Sequence, residues 1–290
     1  MALNIWLNPN NMVLYEATVI YQHAKWDANM ECRMDGRTTI ITGGSLGLGK
    51  AIAMEFVNSG AKVAIIARRA EVLEEAKAEI LAAHPNASVA THACDMRNPD
   101  AIKEMHQAVE RDLGPVDVVV NNAGTSRAMD FMKITDELWN EDLELKLMGA
   151  VRLIRLTFPG MKERRWGRII NVLNVGAKAP RPCGAPTAVS RAAGMALTKV
   201  LAGEGAPHNV LVNAMLVGLI ESDQHLQRHL KSGSNDTVEE FYEKMGKTVP
   251  LGRVGKAEEF ANMATFLASD AGSYITGTAI NVDGNRAPVV

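Results

Sequence analysis

Three features of the sequence predict a single α/β domain built as a doubly wound, seven-stranded parallel sheet with helices on both faces. Short apolar runs alternate with longer segments of helical periodicity from Gly36 to Gly284, the pattern of parallel strands joined by right-handed crossovers. The first apolar run leads directly into a glycine-rich turn. No composition break, internal repeat or low-complexity linker follows residue 36, and large α/β sheets often exceed the usual domain length as one unit.

The first strand is expected over residues 37–42 and the first helix over 47–59. Residues 62–67 read Lys-Val-Ala-Ile-Ile-Ala, an unbroken apolar run suited to a strand covered on both faces. A helix over 71–83, rich in Ala, Glu and Lys, stops before Pro85. Strand three falls at 88–93. The helix over 100–112 follows Pro99, whose missing N–H suits the start of a helix. Strand four covers 116–121, mostly helix covers 136–164, and strand five covers 168–173. A long helix at 185–206, strand six at 210–215, a helix at 257–269 and a last strand at 279–282 complete the series.

With 47% of its 290 residues hydrophobic, the chain can bury a sizeable core. Its 31 Lys and Arg against 33 Asp and Glu leave a net charge of −2 and no basic run, which argues against nucleic acid or an anionic membrane as partner. Cys32, Cys94 and Cys183 form no CxxC or paired His motif. No metal site or disulfide framework is therefore expected, and a reducing cytoplasm fits. No apolar run approaches the roughly 20 residues that span a bilayer, and Met1-Ala2-Leu3-Asn4-Ile5 lacks a cationic leader.

Residues 1–35 stand apart and read as an extension of uncertain order. They carry Trp6, Tyr15, Tyr21 and Trp26, and Val13, Ala17, Ile20 and Ala24 fall on one stripe of a possible helix over 12–26. The alternative is translation from an early start codon, with Met30 or Met34 as the natural beginning.

The first turn reads Thr42-Gly43-Gly44-Ser45-Leu46-Gly47-Leu48-Gly49. Gly43 permits the tight turn, Gly47 leaves room for a pyrophosphate, and Gly49 lets helix and strand pack closely. The helix that follows directs free N–H groups and its positive dipole end at the phosphates. This strand-turn-helix context makes the turn a dinucleotide site of Rossmann type. Strand two ends in Arg68-Arg69, with no carboxylate before Glu71. Guanidiniums suit a ribose 2′-phosphate that a carboxylate would repel, so NADP(H) is favoured over NAD(H).

Beyond the turn, the residues resemble the short-chain dehydrogenase/reductase family over about 250 positions. Thr42 to Gly49 match its TGxxxGxG, and Asn121-Asn122-Ala123-Gly124 match its NNAG after strand four. Val212-Asn213-Ala214, Pro250-Leu251-Gly252-Arg253, Phe266-Leu267-Ala268-Ser269 and Tyr274-Ile275-Thr276-Gly277 match later blocks in order, as does Val282-Asp283-Gly284. The resemblance implies cofactor contacts at Gly43, Ser45, Leu46, Gly47, Leu48, Arg68, Arg69, Asp95, Met96, Asn122, Ala123, Gly124, Arg191, Gly218 and Ile220. Asp95 sits where the family contacts adenine.

The family's proton-transfer unit is an Asn, a Ser and a Tyr-x-x-x-Lys. Alignment on Gly149 and Met161 puts Lys146 at the Asn position, and alignment on Ile169-Ile170-Asn171-Val172 puts Asn174 at the Ser position. Thirteen residues on, Thr187 stands at the Tyr position, and Arg191 follows at the Lys position. All four differ, while Ser190, Ala192 and Ala193 keep the frame. None of the four tyrosines offers a rescue: Tyr15 and Tyr21 lie in the extension, Tyr242 in the variable segment over the substrate and Tyr274 in a structural motif. Val217-Gly218 also replaces the family's Pro-Gly. Halohydrin dehalogenases, which share the fold and carry the Arg, need the Tyr and lack the intact turn.

Chemically, the Thr187 hydroxyl is a far weaker acid than a phenol, and Arg191 stays protonated and cannot act as a base. Lys146 is the one new titratable group, its pKa expected to fall through burial and the like charge of Arg191. It could donate a proton, pair with Arg191 to hold an anionic substrate, or simply face solvent or an interface. Two functions follow: an NADP(H)-dependent oxidoreductase with a non-standard proton path, for which a C=C or C=N bond is a candidate substrate, or a catalytically inactive NADP(H)-binding or partner subunit. Family members commonly form tetramers through their long helices, for which Leu143, Leu147, Val151, Ile154, Leu197, Val200 and Leu201 are candidates unless they face the sheet. Met195, Met215, Leu216, His225, Leu226 and Tyr242 are candidate pocket residues. Cys183, His225 and His229 read as surface or packing residues, the two His one helical turn apart.

Overall fold

The computed structural model describes residues 31–290; the helix expected over 12–26 lies outside them. Seven strands form one sheet: β1 Thr38–Thr42, β2 Lys62–Ala67, β3 Val89–Ala93, β4 Val116–Asn121, β5 Gly167–Asn174, β6 Val210–Val217 and β7 Ala279–Val282. Their order is β3-β2-β1-β4-β5-β6-β7, and every neighbouring pair is parallel. The order reverses between β1 and β4, so a crevice opens at the carboxyl ends of those strands.

Alternation along each strand sends neighbouring residues to opposite faces. Ile41, Ile65 and Val120 pack with Ile52 and Phe56 of α1 (Gly47–Asn58) and Phe260 and Leu267 of α9 (Ala257–Ala268). Ile40, Ile66 and Val119 pack on the other side with Ile102 and Val109 of α3 (Pro99–Leu113) and Leu153 and Phe158 of α5 (Gly149–Arg164). Two buried faces explain why the central strands are apolar throughout. Met34, ahead of the expected domain start, is only 1% exposed and belongs to the first of these layers.

Helix starts follow local chemistry. Asn98 caps α3 by accepting from Asp100 and Ala101 N–H, with Pro99 in the first turn. The remaining helices are α2 (Ala70–Ala83), α4 (Asp136–Leu143), α6 (Thr187–Gly205), α7 (Asp223–Lys231) and α8 (Val238–Gly246). The α7–α8 segment carries His225, His229 and Tyr242; His229 stacks on Phe241 at 4.6 Å and meets the Asp236 carbonyl at 3.0 Å.

The helix expected over 136–164 is three elements. A π turn, Glu144–Met148, separates α4 from α5. At its end Gly149 lies so close to β3's exit that a Cβ there would stand 2.6 Å from the Met96 carbonyl oxygen. The π turn carries Lys146, and such bulges recur at functional sites.

Candidate functional site

The β1–α1 turn is shaped by its backbone. Gly47 has φ +51 and an added Cβ would meet nothing within 4 Å, so open space lies over the turn. A Cβ on Gly49 would stand 2.0 Å from the Gly43 carbonyl oxygen. No side chain caps α1 at Leu46, which leaves the first helical N–H groups free for an anion.

The side chain of Asn122 serves the turn itself, donating to the carbonyls of Thr42 at 3.1 Å and Gly43 at 3.0 Å. Thr42 Oγ1 accepts from the N–H groups of Asn122 and Ala123, both at 3.0 Å. The NNAG segment is thereby tied to the glycine turn across the switch point. Next to it, Asn121 donates to Asn171 Oδ1 and Asn171 to Thr198 Oγ1, each at 2.9 Å, a buried ladder that fixes β4, β5 and α6 together.

Arg68 and Arg69 are exposed where β2 ends. Arg69 starts α2 without a side-chain cap, so two cations and free amides share one edge. Asp95 does not stand alone there: Arg97 grips its carboxylate, with Nη2 at 2.6 Å and Nε at 3.0 Å, and holds its pKa below the usual range. Arg97 carried no motif that would single it out in the sequence. Ser45, Met96 and Ile220 are buried at 8%, 5% and 4% exposure, which leaves each little surface for a ligand. At Gly218 a Cβ would stand 2.4 Å from Asp283 Cα, so the C-terminal strand's exit alone requires glycine. An uncapped helix start, an open turn and exposed arginines fit a phosphorylated dinucleotide.

Lys146 and Thr187 meet in the interior. Lys146 Nζ donates to Thr187 Oγ1 at 2.7 Å and to Asp142 Oδ1. Thr187 Oγ1 also accepts from Arg127 N–H at 2.9 Å. Ser190 Oγ donates to the other Asp142 oxygen at 2.6 Å. The side chains of Lys146 and Asp142 are each 1% exposed. Burial, the largest influence, pushes the Lys146 amine down to about 8; Asp142 pulls it up, and Arg191 and Arg127 add to the downward push. Arg191 donates from Nη1 to the Val172 carbonyl at 2.7 Å. Its Nη2 lies under Gly124, where a Cβ would come within 2.5 Å, and burial pushes its pKa down to about 10.

Asn174 stays apart from this cluster, its Oδ1 buried with no hydrogen-bond partner. Asp142 belongs to the cluster and was not singled out by sequence reasoning; its only signal was the i, i+4 spacing to Lys146.

An open cleft of about 600 Å³ lies between α7 and the NNAG loop, lined by Thr125, Gln224, Gln227, Arg228, Lys231 and Ser232; Lys146, Thr187 and Arg191 are not among its lining residues. That is within the roughly 300–1,000 Å³ usual for small-molecule sites. Gln224 ties α7 to the NNAG loop through Gly124 O at 3.5 Å and Ser126 N at 3.4 Å. The lining corrects the sequence expectation: Met215 and Leu216 are 0% exposed within β6. Strand six is covered on both faces, so neither reaches the cleft. Ile154 is likewise corrected as an interface candidate, because at 3% exposure it packs under the sheet.

A family model described as enoyl-(acyl carrier protein) reductase matches residues 43–284. The chain is 32% identical over 257 residues to a 3-oxoacyl-(acyl-carrier-protein) reductase of Aquifex aeolicus, covering 88% of this chain and 99% of that one. Among solved structures, it is similar to the apo form of a Pseudomonas aeruginosa short-chain oxidoreductase containing an atypical catalytic centre. The TM-score is 0.84 at 32% identity, over 89% of this chain and 100% of the other. The NADPH-bound structure of that description gives a TM-score of 0.82 at 33% identity, over 89% and 99%. The parallel sheet, the glycine turn and a match spanning almost the whole sheet agree: the chain belongs to the short-chain dehydrogenase/reductase family.

Proposed function

We propose that this protein is an NADP(H)-dependent oxidoreductase in which Lys146 and Thr187 supply the proton that a tyrosine supplies in its relatives. The observation that carries the reading is the 2.7 Å hydrogen bond from Lys146 Nζ to Thr187 Oγ1. Thr187 Oγ1 accepts from Lys146 and from Arg127 N–H, so its own hydrogen remains to donate. A proton passed from Thr187 to a developing oxyanion is replaced from the Lys146 ammonium. NADPH, when bound, supplies the hydride. Arg68 and Arg69 would hold its 2′-phosphate, the amides from Leu46 to Leu48 its pyrophosphate, and Arg191, under Gly124, its nicotinamide ribose. The NADPH-bound relative supports this cofactor.

An amine with a pKa of about 8 is mostly protonated at neutral pH and is a stronger acid than a phenol. Reduction is expected to slow as pH rises through about 8, because the donor is then empty. The test is a fluorescence titration with NADPH and NADH, followed by oxidation of the bound NADPH with carbonyl, enone and imine substrates. Micromolar NADPH binding with turnover supports the reading; tighter binding of NADH, or loss of neither signal in Lys146→Met, overturns it.

The closure of Lys146, Thr187 and Arg191 from solvent favours a second reading, a dinucleotide-binding subunit without turnover. Binding without oxidation, with activity gained in Thr187→Tyr/Arg191→Lys, selects it. Under either reading, exposed Val200 and Val189 on α6 support a homo-oligomer through the long helices. The free cysteines fit a cytoplasmic setting, and the sequence ahead of the compact unit Cys32–Val290 is read as an extension of the single domain.

A further inference from the structure

We propose that Asp142 is a positioning residue, a carboxylate anchored by Ser190 that holds the Lys146 amine against Thr187 and keeps it protonated there. The inference rests on the proton path proposed above. Asp142 closes the last turn of α4 with its side chain 1% exposed. A carboxylate taken so far from water costs several kcal/mol unless it is fully partnered. Here both oxygens are engaged, Oδ1 by Lys146 Nζ and Oδ2 by Ser190 Oγ at 2.6 Å. Ser190 is itself 1% exposed on α6, three residues after Thr187, so one helix fixes both the anchor and the proton acceptor.

Among the described residues, three charged groups face Lys146. From α4 it is Asp142, from α6 Arg191, and from the loop after β4 Arg127. Arg127 is itself neutralised by Glu141 at 2.6 Å. Among the described residues Asp142 is thus the one anion that offsets burial and the two cations at Lys146. Without it the amine's pKa would fall further, which would weaken the source from which Thr187 recovers its proton. A purely structural role, tying α4 to α6, would need only the Ser190 hydrogen bond and would leave the protonation of Lys146 untouched.

Two variants separate these roles. Asp142→Asn keeps the shape and an acceptor for Ser190 but removes the charge. Its alkaline loss of turnover is expected to move toward lower pH by about one unit or more. Asp142→Glu keeps the charge and displaces the amine, so the rate is expected to fall about tenfold or more with the pH midpoint unchanged. A second readout needs no turnover: the pH at which urea stability of wild type begins to rise relative to Lys146→Met should move down in Asp142→Asn, measured against Asp142→Asn/Lys146→Met. A shift in stability with no activity in any protein sustains the role of Asp142 while removing the reductase reading. A constant stability offset at all pH values, or an Asp142→Glu enzyme with wild-type rate, overturns the proposal.

Discussion

At Lys146, burial and a single carboxylate act in opposition, and burial is the larger. The folded amine has a pKa of about 8 against 10.5 when free, so between these values the unfolded chain binds more protons than the folded one. Stability must then rise with pH across that window, and the cost of holding the ammonium is fully present below about pH 8. Lys146→Met should lack this rise. Wild type is expected to gain on the order of 3 kcal/mol relative to the variant between pH 8 and 10.5, read as the difference in urea stability at the two ends. The drop in the amine's pKa was legible from the sequence, because Lys146 aligned to a cleft position beside Arg191. Its opposing partner was not: Asp142 lies four residues away on a helix, and only the packing of α4 on α6 reveals that its side chain turns inward.

At the scale of elements, the β1–α1 turn tests how far backbone approach outweighs helix propensity. Replacing a helical glycine by alanine ordinarily gains about 1 kcal/mol. At Gly49 the new methyl would stand 2.0 Å from a carbonyl oxygen, and forced backbone shifts cost about 1–3 kcal/mol or more. Gly49→Ala is therefore expected to lower Tm and weaken NADPH binding, whereas Gly203→Ala on the exposed end of α6, with nothing within 4 Å, should raise Tm slightly. Thermal melts of both variants decide it. The turn was readable as a motif, since its glycines sit between an apolar strand and a helix. The π turn in the long helix was not, because one extra residue in a turn leaves the hydrophobic periodicity on either side nearly intact.

For the whole molecule, the outer face of α6 presents Val189 at 50% and Val200 at 58% exposure, apolar surface more often found at contacts between subunits. Val200→Asp should shift a homo-oligomer toward smaller species in light scattering while leaving Tm of the separated chain nearly unchanged. An unaltered mass would place any interface elsewhere. The helix and strand succession, the parallel sheet and the dinucleotide turn were determined by the sequence alone, since periodicity and glycine spacing are local properties of the chain. The tertiary structure alone decided that Lys146, Asp142, Thr187 and Ser190 form one closed network, that Asn174 lies outside it, and that Asn122 braces the turn. Those outcomes depend on which side chains meet across α4, α6 and the switch point, and no periodicity within one segment encodes a contact between two.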